Sequence, residues 1–173
     1  LSCGRLLRRV VRSRTLLALA VGGIAFLASS PGAQSSGLVG HAQLSGQEAS
    51  LLSAINRARA RHGAPPLRIG PALQRAARSH SNTILRTGNF THGDWYSRLR
   101  RHGARGRTLG ETIAWGVGTD GTARAIVRMW LGSPPHRETL LRRAFRYIGV
   151  GVATGSFSGF GGASVATADF AGR

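Results

Sequence analysis

Three side chains carry the clearest chemical capacity in the chain. His92 follows Phe90 and Thr91, Glu111 lies in TLGETIAWG at residues 108–116, and His136 lies in SPPHRETLL. Two imidazoles and a carboxylate can hold Zn²⁺ with an open position for water, or can shuttle protons. The intervals of 19 and 25 residues match no local metal signature, so only a fold can unite them. Each residue also has an ordinary reading. His136 can be a donor at a helix start, Glu111 the partner of an arginine, and His92 a solvated side chain. Glu111 is the sharpest case, because it sits between Gly110 and the apolar-rich run Thr112–Trp115. An acid beside a run that reads as core must be solvated, paired or used. His80, on the apolar stripe of a helix, reads as a core histidine rather than a ligand. Trp115 and Trp130 read as core.

Other motifs lead to exclusions. GVGTDG at 116–121 matches G-x-G-x-x-G, with Glu138 further on. The dinucleotide fingerprint needs a parallel second strand ending at that acid, whereas Glu138 falls in a helix after a Pro-Pro turn. GSFSG is centred on Phe157 and is no nucleophile elbow. H-E-x-x-H is absent. Cys3 is the only cysteine and lies in a leader-like segment, so thiol catalysis and thiolate zinc sites are excluded from the domain that follows.

Residues 5–14 carry five arginines, residues 15–28 form an uncharged apolar run, and SSPGAQSSG follows. This is the pattern of a secretory signal over residues 1–33, with a cleavage point that could extend to 42. The run is shorter than the ~20 residues a spanning helix needs. Export to a secreted or extracytoplasmic location is the expectation; an uncleaved segment would retain the protein at the membrane. Residues 34–46 read as a linker and 47–173 as one domain. All 24 basic residues are arginine, against six acids, and removing the leader's five leaves 19. Such a charge favours anionic partners. The absence of lysine equally suits a solvated surface from an arginine-biased genome.

The elements that must position the three residues follow from period and punctuation. Ser45 and Glu48 form an S-x-x-E capping box before a helix that Gly63 ends. APPLRIG is an extended connector. Pro71 opens a second helix that Gly88 closes. Asp94 caps a short helix through Arg101. A glycine-rich stretch with a short strand at Thr112–Trp115 comes next. Asp120 or Thr122 caps a helix burying Ile126, Val127 and Trp130, and Ser133 caps another that starts at Pro134. YIGVGVATGSF and GASVATADFAG alternate and are β-branched, which marks an antiparallel hairpin. Helices first and a hairpin last define an α+β fold.

In order, LLSAINRARARHGAPPLRIGPALQRAARSHS, FTH, GETIAWG, MWLGSPPHRETLL, YIGVGVA and VATADF resemble the bacterial branch of the CAP superfamily. That superfamily comprises cysteine-rich secretory proteins, antigen 5 and pathogenesis-related 1 proteins, and its module is also called the SCP domain. The resemblance runs from about residue 47 to 171. It implies an α-β-α sandwich with a central antiparallel sheet, secretion, and a cleft lined by histidines and acids. The matching cleft positions are His92, Glu111 of the G-E-N-like motif, and His136 of the S-P-x-H-R-like motif. Thr112 and Thr139 replace the usual asparagines, and Ser133 stands where the eukaryotic branch has a second cleft glutamate. Two functions are therefore expected. One is an envelope or extracellular binding module using the His/Glu cleft, with lipid or an anionic envelope polymer as partner and no specific nucleic acid. The other is a metal-dependent, protease-like hydrolase with His92 and His136 on Zn²⁺ and Glu111 as ligand or general base. Polyanion or nucleic-acid adhesion driven by charge alone is a third, weaker class.

Overall fold

The computed structural model describes residues 43–172. The leader assigned to 1–33, or to 42, and most of the linker lie outside them. Among the described residues, no helix is long and apolar enough to cross a membrane.

Among the described residues, five helices surround one four-stranded sheet. In chain order they are α1 (Gly46–Arg61), β1 (Arg68–Ile69), α2 (Pro71–Thr87), α3 (Trp95–Arg101), β2 (Thr108–Gly116), α4 (Ala123–Gly132), α5 (Pro134–Leu141), β3 (Phe145–Phe157) and β4 (Phe160–Gly172). A 3₁₀ turn at Gly118–Gly121 takes up most of GVGTDG. The sheet order is β1-β3-β4-β2. The three long strands are antiparallel, as expected, while β1 runs parallel to β3. The connector APPLRIG thus supplies a two-residue strand, and the sheet is mixed at one edge. The strand read at Thr112–Trp115 extends over Thr108–Gly116, because β4 offers a partner along its whole length.

The helix starts follow their sequence signals with one exception. Ser45 and Glu48 form the reciprocal capping box of α1, and Asp94 and Thr122 cap α3 and α4. Ser133 occupies the N-cap of α5, but its side chain caps nothing. The hairpin closes through Ser158–Gly159, both at positive φ, as a two-residue type I′ turn requires.

Alternation along the strands sorts the core into two layers. One sheet face presents Ile148, Val150, Ala166, Ala168 and Phe170 to α1, α4 and Leu140 of α5. The other carries Val165, Ile113 and Ala171 against α2 and α3. The result is an α-β-α sandwich. Helix α2 sits so close that a Cβ on Gly149 would come 2.0 Å from the Leu73 carbonyl carbon. Beyond the end of β1, the buried Gln74 side chain accepts from Val150 N at 2.9 Å and donates to Val150 O at 2.5 Å. A side-chain amide there does the work of a neighbouring strand, leaving no orphaned β3 backbone group at Val150.

Candidate functional site

Glu111 is the hub of the site. It sits on the outer strand β2, where the register sets it opposite Asp169 of β4 on the face that meets α2 and α3. Its side chain is 1% exposed and both carboxylate oxygens are engaged. His92 Nδ1, from the loop between α2 and α3, lies 2.7 Å from Oε1. The Arg98 guanidinium of α3 donates to Oε2 through Nη2 and to the His92 carbonyl through Nη1, the latter at 3.1 Å. A carboxylate oxygen only accepts, so the contact assigns the imidazole proton to Nδ1 of His92. Nε2 is left for a ligand, on a ring whose side chain is 42% exposed. This carboxylate–imidazole pairing fixes tautomer and orientation.

His136 arrives from the other helical layer. Its ring centroid is 6.1 Å from that of His92. Its helix can approach β2 because Gly110 leaves room: a Cβ there would meet the Phe145 ring at 2.9 Å and Thr139 Cγ2 at 3.2 Å. Partial burial, then the neighbouring His92, hold the His136 imidazole below its ordinary range, so near neutral pH it is an uncharged hydrogen-bonding edge. The structure therefore brings His92 against Glu111 and His136 beside His92. Of the ordinary readings, the arginine partner of Glu111 is also present.

Three further residues complete the cluster. His80 of α2 is buried, with Nε2 3.9 Å from Glu111 Oε2 and no hydrogen-bond partner on that nitrogen. Burial first lowers its pKa; Glu111 opposes that shift and Arg98 adds to it. It is a core histidine, as its position suggested, but one that faces the site. Asp169 is fully buried, and neither carboxyl oxygen has a hydrogen-bond partner. Burial, then the Glu111 charge, raise its pKa well above the usual range, which favours its neutral form. Arg98 is the cluster's one permanent cation, with its Nε also unpartnered. Asp169 carried a sequence signal equal to that of Glu111: an acid inside a strand of otherwise core-like residues. Arg98 carried none among so many arginines.

The expected three-ligand zinc set does not fit this arrangement. Each Glu111 oxygen already accepts from His92 or Arg98, and a guanidinium in the donor set repels a cation. Among the described residues no group of three or more His, Cys, Asp or Glu side chains is arranged to hold a metal ion. Of the expected set two imidazoles remain, one fewer than a catalytic zinc site uses. Cavity volume does not mark the site either. A cavity of about 510 Å³, lined by Gln47, Leu51, Thr122, Arg124 and Ile126, lies between α1 and α4 on the other sheet face. The titratable cluster is the better guide to chemistry.

An α-β-α sandwich carrying this histidine and glutamate cluster at its sheet edge defines a CAP-type domain. The model of the cysteine-rich secretory protein family, CAP, matches residues 52–170, and the chain belongs to that family. YkwD, an uncharacterized protein of Bacillus subtilis, is 31% identical over 119 residues, covering 65% of this chain and 45% of YkwD. An extracellular SCP-domain protein of Bacillus anthracis superposes with a TM-score of 0.61 at 26% identity, over 74% of this chain and 41% of that one. An outer surface protein of Borrelia burgdorferi shares the fold, with a TM-score of 0.60 at 20% identity over 71% of this chain and 90% of that one. The chain spans less than half the length of the two Bacillus proteins.

Proposed function

We propose that this CAP domain works outside the cytoplasm as a binding module, with the His92–His136 cleft as its recognition point. The observation that carries the reading is the double commitment of Glu111 to His92 and Arg98. A carboxylate held this way orients an imidazole, and the guanidinium against it disfavours a metal ion there. The cleft then offers two imidazole edges, suited to hydroxyl, amide or anionic groups of an envelope component. The location is supported by the Bacillus anthracis relative, which is described as extracellular. A hydrolase would need a nucleophile or metal-bound water beside His92, and Glu111 would have to release Arg98 to complete a three-ligand site.

The test is cosedimentation of wild-type protein and a His92→Ala/His136→Ala variant with isolated wall polymer and with anionic lipid vesicles. Loss of two hydrogen-bonding groups is expected to weaken binding by roughly tenfold or more, with His136→Ala alone, which leaves the His92–Glu111 contact in place, as the variant that keeps the melting temperature. Equal binding by the double variant would remove the cleft from recognition. Zinc-dependent hydrolysis of a protein substrate by wild type would replace binding with catalysis.

A further inference from the structure

We propose that the sheet edge opposite the cleft carries a second binding surface, a groove of about 540 Å³ lined by Pro65, Pro66, Arg68, Ala144, Arg146 and Tyr147, which takes a linear anionic glycan. The sheet order places β1 at one edge and β2, with the cleft, at the other. Arg68 and Tyr147 are paired across β1 and β3, so both belong to that far edge. The groove uses no residue of the cleft.

Charge bookkeeping singles this groove out from a generally basic surface. All six acids of the chain lie among the described residues. Glu48 pairs with Arg78, Glu111 with Arg98 and Glu138 with Arg142. Asp169 is buried, Asp94 caps α3, and Asp120 sits in the 3₁₀ turn. None forms an ion pair with Arg59, Arg68, Arg143 or Arg146. Arg59 is wholly buried near the groove, donating to the carbonyls of Pro65, Leu140 and Arg142. Its pKa is lowered to about 10, first by burial and then by the charges of Arg146 and Arg143. Arg59, Arg143 and Arg146 therefore lie near one another, and none of them is in an ion pair among the described residues. Arg59 is explained by the carbonyls it ties together. The outer arginines are not: Arg68 makes no side-chain hydrogen bond among the described residues, and Arg146 uses only Nη1, on the Arg143 and Phe145 carbonyls.

The lining also selects the partner. Free guanidinium forks pair with carboxylate, sulfate or phosphate groups. The Tyr147 ring, 47% exposed, and the Pro65–Pro66 pair add an apolar wall on which the C–H face of a sugar ring can pack while the phenol hydroxyl reaches its polar edge. A planar membrane suits protruding apolar groups rather than an aromatic ring set in a concave groove. Single-stranded nucleic acid could stack one base on Tyr147, but such sites usually combine several aromatic platforms. Preferring a glycan over nucleic acid rests on the extracytoplasmic reading proposed above.

The experiment measures binding of a heparin-derived octasaccharide, at low and raised ionic strength, to four proteins besides wild type. These are Arg68→Gln/Arg146→Gln, Tyr147→Ser, the remote Arg86→Gln/Arg128→Gln pair with the same charge change, and His92→Ala/His136→Ala. The groove pair should lose roughly tenfold or more, as removal of charge-assisted contacts implies. Tyr147→Ser should lose severalfold, while the remote pair should stay within about twofold of wild type. A neutral maltooligosaccharide should not bind. Equal losses from the groove and remote pairs would show diffuse charge and overturn the proposal, as would no wild-type binding at low ionic strength. Loss in the cleft variant would move the site to the cleft. Tighter binding of single-stranded DNA or phosphatidylglycerol vesicles through Arg68 and Arg146 would overturn the glycan and leave the cleft reading intact.

Discussion

Two carboxyl groups sit side by side at Glu111 and Asp169, and the cluster holds one permanent cation, Arg98. Like charges desolvated together cannot both ionise cheaply, so burial, then the Glu111 charge, push the pKa of Asp169 up. The sign of the pH effect follows. A pKa raised on folding contributes stability fully present below the unfolded value, ~3.9 for aspartate, and lost as pH rises through the folded value. Asp169→Asn, which stays neutral and can donate to Glu111, should raise the melting temperature at neutral and alkaline pH by about 3–6 °C. The gain should shrink toward pH ~4. Melting curves of both proteins across that range check it; a pH-independent difference would mean that Asp169 does not titrate between the two states. His92, Glu111 and His136 were legible because each sits in a short motif of distinctive composition. Arg98 and Asp169 were not, since their roles arise from the register of β2 on β4 and from the turn of α3 onto β2. His80 shows a limit of periodicity: the stripe predicts burial correctly but does not say what a buried side chain faces.

At the scale of elements, the site depends on two close approaches that glycine permits. Helix α2, which carries His80, rests directly on β3 at Gly149, while α5, which carries His136, closes on β2 at Gly110. The obstructions differ in kind. A methyl at Gly149 meets backbone of α2 at 2.0 Å, whereas one at Gly110 meets the Phe145 and Thr139 side chains at 2.9 and 3.2 Å. Backbone cannot yield without moving the helix. Gly149→Ala should cost about 3 kcal/mol or more, and Gly110→Ala about 1–2 kcal/mol, within the range of overpacked cores. Urea unfolding of both variants tests the order; a Gly110→Ala cost exceeding that of Gly149→Ala would contradict this packing. Helix positions were readable from caps and from Pro/Gly punctuation, which act locally. The full length of β2 and the short parallel β1 were not, because a strand's extent is set by its partner and both partners arrive later in the chain.

For the whole molecule, the family fold holds here without the cysteines of the family's name: the single Cys3 lies outside the described residues, and the domain relies on two apolar layers about one sheet. The order of motifs made that architecture legible, since six short segments in sequence constrain topology more than any one constrains a contact. Function is less legible, because the same histidine and glutamate positions would suit a metal site or the proposed braced cleft according to what Glu111 touches. The braced cleft is the central claim, and nitrogen-15 NMR of the imidazoles, with and without Zn²⁺ at neutral pH, tests it most directly. The account predicts that His92 is the Nδ1–H tautomer, that Glu111→Gln perturbs this state, and that Zn²⁺ leaves the Glu111–Arg98 pair and the protein's melting temperature unchanged. Joint metal-bound shifts at His92 and His136, with release of the Arg98 guanidinium and a zinc-dependent rise in melting temperature, would show Glu111 to be a metal ligand and contradict it.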